Sequence, residues 1–144
     1  MERLTRTSAP QAKNYTEKVI QFGEGNFLRA FIEWIIWKTN QKTDFNASVV
    51  VVQPIDRGMV DMLNEQDGLY HLNLQGILDG KPVDSVDLID VISRVINPYR
   101  DFQNYLKLAE QPEMRFIVSN TTEAGIAFDP SCKFTDAPAS SYPG

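Results

Sequence analysis

The residues of this chain best suited to chemistry lie in one turn, Gly23-Glu24-Gly25-Asn26-Phe27. A short apolar run, Val19-Ile20-Gln21-Phe22, leads into it, and a segment of helical spacing leads out. In a strand–Gly-x-Gly–helix unit the first glycine lets the chain turn sharply off the strand. The second lets the backbone approach an anion closely. The helix then aims its unbonded N–H groups, and about half a positive charge from its dipole, at the same point. The chemistry this suits is retention of a dinucleotide pyrophosphate. Two residues depart from the usual pattern. Leu28 stands where a third glycine would fall, so the helix is expected to stand further from the sheet. Glu24 puts a carboxylate inside a phosphate loop, which Arg29 could offset by pairing with Glu24 or with a phosphate.

Other candidates lie at strand ends. An acid about 20 residues beyond the glycines commonly binds the adenosine ribose. Here Gln53 and Pro54 end the second apolar run, and Asp56 follows. Asp56 reads either as a ribose acceptor or as the N-cap of the next helix. Arg57 beside it keeps a 2′-phosphate possible, so the residues alone do not separate NAD from NADP. Asn120-Thr121-Thr122-Glu123 follows another apolar run. Ligands of open α/β sheets bind at the carboxyl ends of strands. Asn120, Thr121 and Glu123 are therefore candidates for ribose or nicotinamide contacts, with ordinary turn chemistry the alternative. His71 reads as a solvent-facing strand residue and Cys132 as a thiol in a polar loop, rather than as catalytic groups. No Cys and His pair has metal-ligand spacing.

The elements that must position these residues alternate. Val19–Phe22 reads as a strand. Phe27, Leu28, Phe31, Trp34 and Ile35 follow at helical spacing, with Asn26 as N-cap. Ser48–Gln53 is β-branched and continuously apolar, as a parallel strand covered on both faces would be. A short helix from about Asp56 to Glu65 comes next. Leu69–Leu74 alternates, Asp79-Gly80 is a hairpin signal, and Val83–Val95 supplies the return strand or strands. Asn97-Pro98 opens a helix to about Glu110, and Arg115–Ser119 reads as a buried strand. This order predicts an α/β fold: a truncated Rossmann-like parallel sheet with flanking helices and an antiparallel hairpin insertion. About three parallel strands are expected where a full doubly wound sheet has about six. Residues 1–17 are expected to be a flexible arm, and 18–144 the N-terminal part of the Rossmann domain.

Bulk properties narrow the partners. A length of 144 residues fits one domain, and a net charge of −5 with no basic stripe argues against nucleic acid. The most apolar segment, Phe27–Trp37, is too short for a membrane span and carries Arg29 and Glu33. One cysteine cannot form an internal disulfide, and the start of the chain has no apolar signal segment, so the cytoplasm is the expected location.

The string Gln21-Phe22-Gly23-Glu24-Gly25-Asn26-Phe27-Leu28-Arg29-Ala30-Phe31 resembles the opening motif of the mannitol dehydrogenase family of long-chain polyol dehydrogenases. The resemblance continues through Val49–Ile55 and Gln66–Tyr70. It resumes at Pro112–Ile126 and reaches Asp136–Pro138 and Ser141-Tyr142-Pro143. It implies that Ile20 to Phe31 form an NAD-binding segment, and it favours a cofactor role for the Asn120–Glu123 turn. The glutamate between the glycines points to a branch that reduces D-tagaturonate to D-altronate with NADH in hexuronate breakdown. Fructuronate or sugar-alcohol dehydrogenases are the sibling alternative. The family's lysine acid/base would lie beyond Gly144, so no catalytic residue is assigned and the chain is expected to be inactive alone. A different class, a non-catalytic nucleotide-binding or interaction module, would need a self-contained sheet. A truncated one would leave an apolar edge open to self-association.

Overall fold

The computed structural model describes residues 3–139; Met1 and Glu2 of the expected arm, and residues 140–144 with the Ser141-Tyr142-Pro143 motif, lie outside the described residues. Strands β1 (Thr16–Phe22), β2 (Ala47–Val52), β5 (Ile92–Ile96) and β6 (Phe116–Ser119) form one parallel sheet in the order β5-β2-β1-β6. Strands β3 (Tyr70–Leu78) and β4 (Lys81–Ile89) form a separate antiparallel hairpin. The fold is thus α/β, with a Rossmann-like parallel sheet and a hairpin insertion. The chain steps from β1 to β2 to β5 on one side, then returns to lay β6 on the other side of β1. The direction of winding therefore reverses between β1 and β6, where open α/β sheets bind their ligands.

Burial explains why β2 is central. Ala47, Val49 and Val51 enter one apolar cluster with Val19, Ile36, Leu63 and Ile92. Val50 and Val52 enter the cluster on the opposite face with Ile20, Ile96 and Leu108. A period of two with apolar residues at both phases gives a strand buried on both faces. Each fully buried valine contributes about 1.5–3 kcal/mol. At the amino ends of the strands, Glu17 of β1 reaches across β2 to Arg94 of β5, at 2.8 Å and 2.9 Å.

Among the described residues the sheet has four parallel strands, not about three. The fourth is β5, which lies within the Val83–Val95 segment expected to supply the hairpin's return strand or strands. Only Asp90 and Val91 separate β4 from β5, too short a break to stand out within a continuous apolar-rich run. The hairpin itself closes as expected. Asp79 and Gly80 have φ of 52° and 75°, the two left-handed residues of a type I′ turn.

Helix boundaries also differ. The first helix comprises α1 (Asn26–Leu28), a π-helical turn (Arg29–Glu33) and α2 (Trp34–Lys42). Its N-cap is Gly25, not Asn26, whose Oδ1 instead accepts from Arg29. Helix α3 spans Val60–Glu65, so Asp56 lies four residues before it and caps nothing. Helix α4 spans Phe102–Leu106 and is capped by Asp101 through the Asn104 N–H at 2.9 Å. Asn97 and Pro98 form a preceding turn, with Asn97 Oδ1 accepting from the Tyr99 N–H. Strand β6 is an edge rather than buried: Phe116 and Ile117 are 51% and 72% exposed. The residues expected to form an arm touch the body. The Arg6 N–H donates to Asp67 and the Lys13 N–H to Asp90, while Ala9 is buried.

Gly68 ends the turn after α3 with φ of 71°, and a Cβ there would stand 2.5 Å from the Ile92 carbonyl oxygen. Backbone strain and overlap add at this position. Gly68→Ala is expected to lower stability by about 2–4 kcal/mol in urea unfolding. A loss under about 0.5 kcal/mol would show that the α3–β3 turn relaxes freely.

Candidate functional site

The glycine turn sits at the carboxyl end of β1. Gly23 leaves the strand with φ of 109°, and its N–H donates to the Val52 carbonyl at 2.9 Å, keeping the turn in register with β2. Gly25 then adopts φ −68° and ψ 158°, and no side chain caps the helix that follows. The first-turn N–H groups therefore remain available. A Cβ built on Gly25 would meet nothing within 4 Å. The second glycine thus faces open space, as a closely approached anion requires.

The two departures from the usual pattern resolve differently. Leu28 is buried, and its Cδ1 lies 3.4 Å from where a Gly23 Cβ would stand. The space that a third glycine would leave between helix and strand is filled by this side chain. Glu24 is turned toward the β2–α3 loop, where its Oε1 accepts from the Met59 N–H at 3.4 Å. Gly58 makes room for it, since a Cβ there would overlap both Glu24 Oε1 and Gln53 Oε1. Among the described residues Arg29 forms an ion pair with neither Glu24 nor any other acid; its guanidinium donates to Asn26 Oδ1 at 2.5 Å and lies over the Tyr70 ring.

Two adjoining hollows mark the carboxyl edge of the sheet, and Pro54 lines both. One, of about 370 Å³, is walled by Gly23, Glu24, Gly25, Ile55 and Met59. The other, of about 360 Å³, is walled by Phe22, Gln53, Tyr99, Phe102, Tyr105, Ser119 and Thr121, among others. The fold therefore gathers Phe22, Gly23, Glu24, Gly25, Gln53, Pro54 and Thr121 around one continuous edge. The remaining candidates stand elsewhere. Ile20 belongs to the core and Gln21 lies fully buried beneath the turn. Phe27 and Phe31 form an exposed ring pair, with centroids 5.4 Å apart, and Ala30 is also exposed. Asp56, Asn120 and Glu123 are exposed and outside both linings.

Gln53 has a mainly internal role. Its Nε2 donates to the carbonyls of Ile55 and Asp56, and its Oε1 accepts from the Val60 N–H. This fully buried amide sets the loop that carries Asp56. Tyr99, Phe102 and Tyr105 were missed as lining residues. Recognising Ile92–Ile96 as a parallel strand would have exposed them, because its carboxyl end leads straight into Asn97-Pro98-Tyr99.

Glu33 was also missed. It is 0% exposed in the π-helical turn behind the glycines. Gln21 Nε2 donates to Glu33 Oε1 at 2.8 Å and to the Gly23 carbonyl at 2.9 Å. The Tyr70 hydroxyl lies 2.8 Å from Glu33 Oε2 and 2.7 Å from the Arg29 carbonyl. Burial pushes the Glu33 carboxyl up to about 7 against the lowering pull of Tyr70, Gln21 and Arg29. Burial and the facing Glu33 hold the Tyr70 hydroxyl far above its ordinary range. In sequence Glu33 is one acid within an apolar helix, and nothing there reveals its partners.

Among the described residues, no helix is long and apolar enough to cross a membrane. Residues 17–142 match the family described as Mannitol dehydrogenase Rossmann domain. The chain is 67% identical over 144 residues to an altronate oxidoreductase of Bacteroides thetaiotaomicron and 49% identical to one of Bacillus subtilis. Each alignment takes in 100% of this chain and 30% of the relative, so the chain spans 30% of the length of these curated relatives. Its backbone superposes with a TM-score of 0.69 on Pseudomonas fluorescens mannitol 2-dehydrogenase, solved as a ternary complex with NAD and D-mannitol. That match has 24% identity over 86% of this chain and 27% of the other. A D-sorbitol dehydrogenase in substrate-free form gives 0.68 at 21% identity, over 89% of this chain and 29% of the other. These two likenesses show the fold alone. A winding reversal at β1, an open glycine turn beside it and a family match across residues 17–142 lead to one assignment: the chain belongs to the mannitol dehydrogenase family, whose Rossmann domain it carries.

Proposed function

We propose that this chain is the cofactor-binding part of an NAD-dependent oxidoreductase that interconverts D-tagaturonate and D-altronate in cytoplasmic hexuronate catabolism. The observation that carries the cofactor reading is Gly25, whose missing side chain faces open space at an uncapped helix start. The residues fit a pyrophosphate. The turn offers free N–H groups, and the Glu24 carboxylate is drawn aside toward Met59. The substrate reading is supported by identities of 67% and 49% to relatives named altronate oxidoreductase.

On this reading the segment Ile20–Phe31 holds the dinucleotide. Gly23, Glu24, Gly25, Asn26 and Phe27 form the pyrophosphate turn, while Gln21 and Leu28 brace it from below. Asp56, exposed on the loop that Gln53 and Pro54 support, accepts from the adenosine ribose hydroxyls. Thr121, flanked by Asn120 and Glu123, serves the nicotinamide side from the end of β6. When bound, NAD supplies hydride transfer between its nicotinamide and the C=O/CH–OH pair of the sugar acid. The residues described here bind and orient the cofactor, and Phe22, Phe102 and Tyr105 give its hollow a water-excluding wall. The resemblance puts the proton donor on a later segment of the parent, so this chain alone is proposed to lack reductase activity. The exposed Phe116 and Ile117 on edge strand β6 favour self-association of the chain in solution.

NADH fluorescence titration tests the turn. Gly25→Val is expected to weaken NADH binding at least about tenfold, or about 1.4 kcal/mol. Its melting temperature should stay within about 2 °C, since a Cβ at this position meets nothing within 4 Å. Unaltered affinity would remove the turn from the cofactor site. In the full-length parent, kcat/KM should be highest for tagaturonate. Preference for fructuronate or mannitol would move the assignment to a sibling activity. The chain by itself should oxidise no NADH with any hexuronate. Sedimentation should show species larger than a monomer, and a strictly monomeric profile would count against self-association through β6.

A further inference from the structure

The contacts of Glu33 constrain where its proton sits. The Tyr70 hydroxyl carries one hydrogen, yet two oxygens lie within bonding reach: the Arg29 carbonyl at 2.7 Å and Glu33 Oε2 at 2.8 Å. A carbonyl can only accept. With Tyr70 donating to Arg29, the contact to Glu33 is a hydrogen bond only if Glu33 donates to Tyr70. On its other oxygen, Glu33 accepts from Gln21 Nε2, whose second hydrogen goes to the Gly23 carbonyl. One donating and one accepting oxygen describe a neutral carboxylic acid.

The surroundings agree. Glu33 is 0% exposed. Three elements supply its polar neighbours: Gln21 from β1, which is neutral, Tyr70 from β3, and Arg29 from its own helix. Arg29 is the one cation among them, and its guanidinium is committed to Asn26 and the Tyr70 ring rather than to the carboxyl. A buried carboxylate without a paired cation is costly.

We propose that Glu33 is a positioning residue for the glycine turn: as a neutral acid it joins Tyr70 of the hairpin to Gln21, and through Gln21 it holds the Gly23 carbonyl, so the dinucleotide binds best to the protonated form. The proposal rests on the dinucleotide reading of the turn. Ionisation acts in two ways, both unfavourable to binding. It draws the Tyr70 proton toward Glu33 and away from the Arg29 carbonyl in the π-helical turn. It also places a negative charge behind the helix start that must accept a pyrophosphate.

The test compares wild type with Glu33→Gln, whose amide can donate to Tyr70 and accept from Gln21 as the neutral acid does, and with Glu33→Leu. NADH affinity and melting temperature are read from about pH 5.5 to about pH 8.5, a window spanning the shifted group. The folded-state value, about 7, lies above the unfolded 4.5. The stabilising contribution is therefore full in acid and is lost as pH rises toward and through neutrality. Wild type should lose about tenfold in NADH affinity over that rise, beyond any change in Glu33→Gln. Glu33→Gln should hold the acid-side affinity throughout, and Glu33→Leu should bind weakly at every pH with no midpoint of its own. The same pH profile in Glu33→Gln and wild type, or wild-type binding with no pH dependence, overturns the proposal and leaves the cofactor reading standing. Absence of NADH binding to wild type at every pH overturns both, and is told apart by the missing binding signal itself.

Discussion

At Gly23 the backbone leaves β1 in a conformation closed to most residues, with φ of 109°, and it does so between two hydrogen bonds. The Gly23 N–H is tied to Val52 of β2, and its carbonyl to the Gln21 side chain. Both faces of one peptide turn are thereby spoken for. The helix that follows can start only in the direction this turn allows. Because β1 lies between β2 and β6, that direction is over the point where the sheet's winding reverses. The uncapped helix start, the open face of Gly25 and the hollow beside Pro54 follow from this one departure angle.

The turn is braced from below as well as from the sheet. Gln21, Glu33 and Tyr70 run from β1 through the first helix to the hairpin, and all three side chains find partners inside the protein. The hairpin thus does more than fill a gap between α3 and β5. Its first residue reaches back to the π-helical turn that carries Glu33. Opposite this, Gln53 spends its whole side chain on the loop after β2, and Glu24 enters that loop rather than the cavity's centre. The Glu24 carboxylate fits between the two glycines of the turn because Gly58 leaves room for it.

Much of this was legible in the residues. Gly23 and Gly25 marked the turn, the valines of β2 marked a strand covered on both faces, and Asp79-Gly80 marked the hairpin. Each depends on local chemistry: glycine's φ freedom, period-two burial and the twist of a two-residue turn. The errors arose where local chemistry was silent. β5 reads as part of the hairpin's return because only two residues separate it from β4. Asn97 and Asp101 are both good caps by type, and only the path of the chain after β5 selects Asp101. Strand β6 has the composition of a buried strand, yet in the described residues no further strand lies beyond it.

The sequence by itself determined the α/β alternation, the glycine turn and the motif that places the chain in its family, because these are set by residue type at short spacing. Only the tertiary structure decided which of the candidate residues share a site. It brought Thr121 to the edge shared with Gly25 and Pro54, left Asp56, Asn120 and Glu123 in solvent outside the hollows, and buried Glu33 against Tyr70, 37 positions away. Such long-range pairings depend on strand order and helix packing. A residue's type constrains its charge and hydrogen-bonding capacity, but the fold selects the partner, and with it whether a carboxyl is a solvated surface acid or a buried one bonded to Gln21 and Tyr70 beneath the glycine turn.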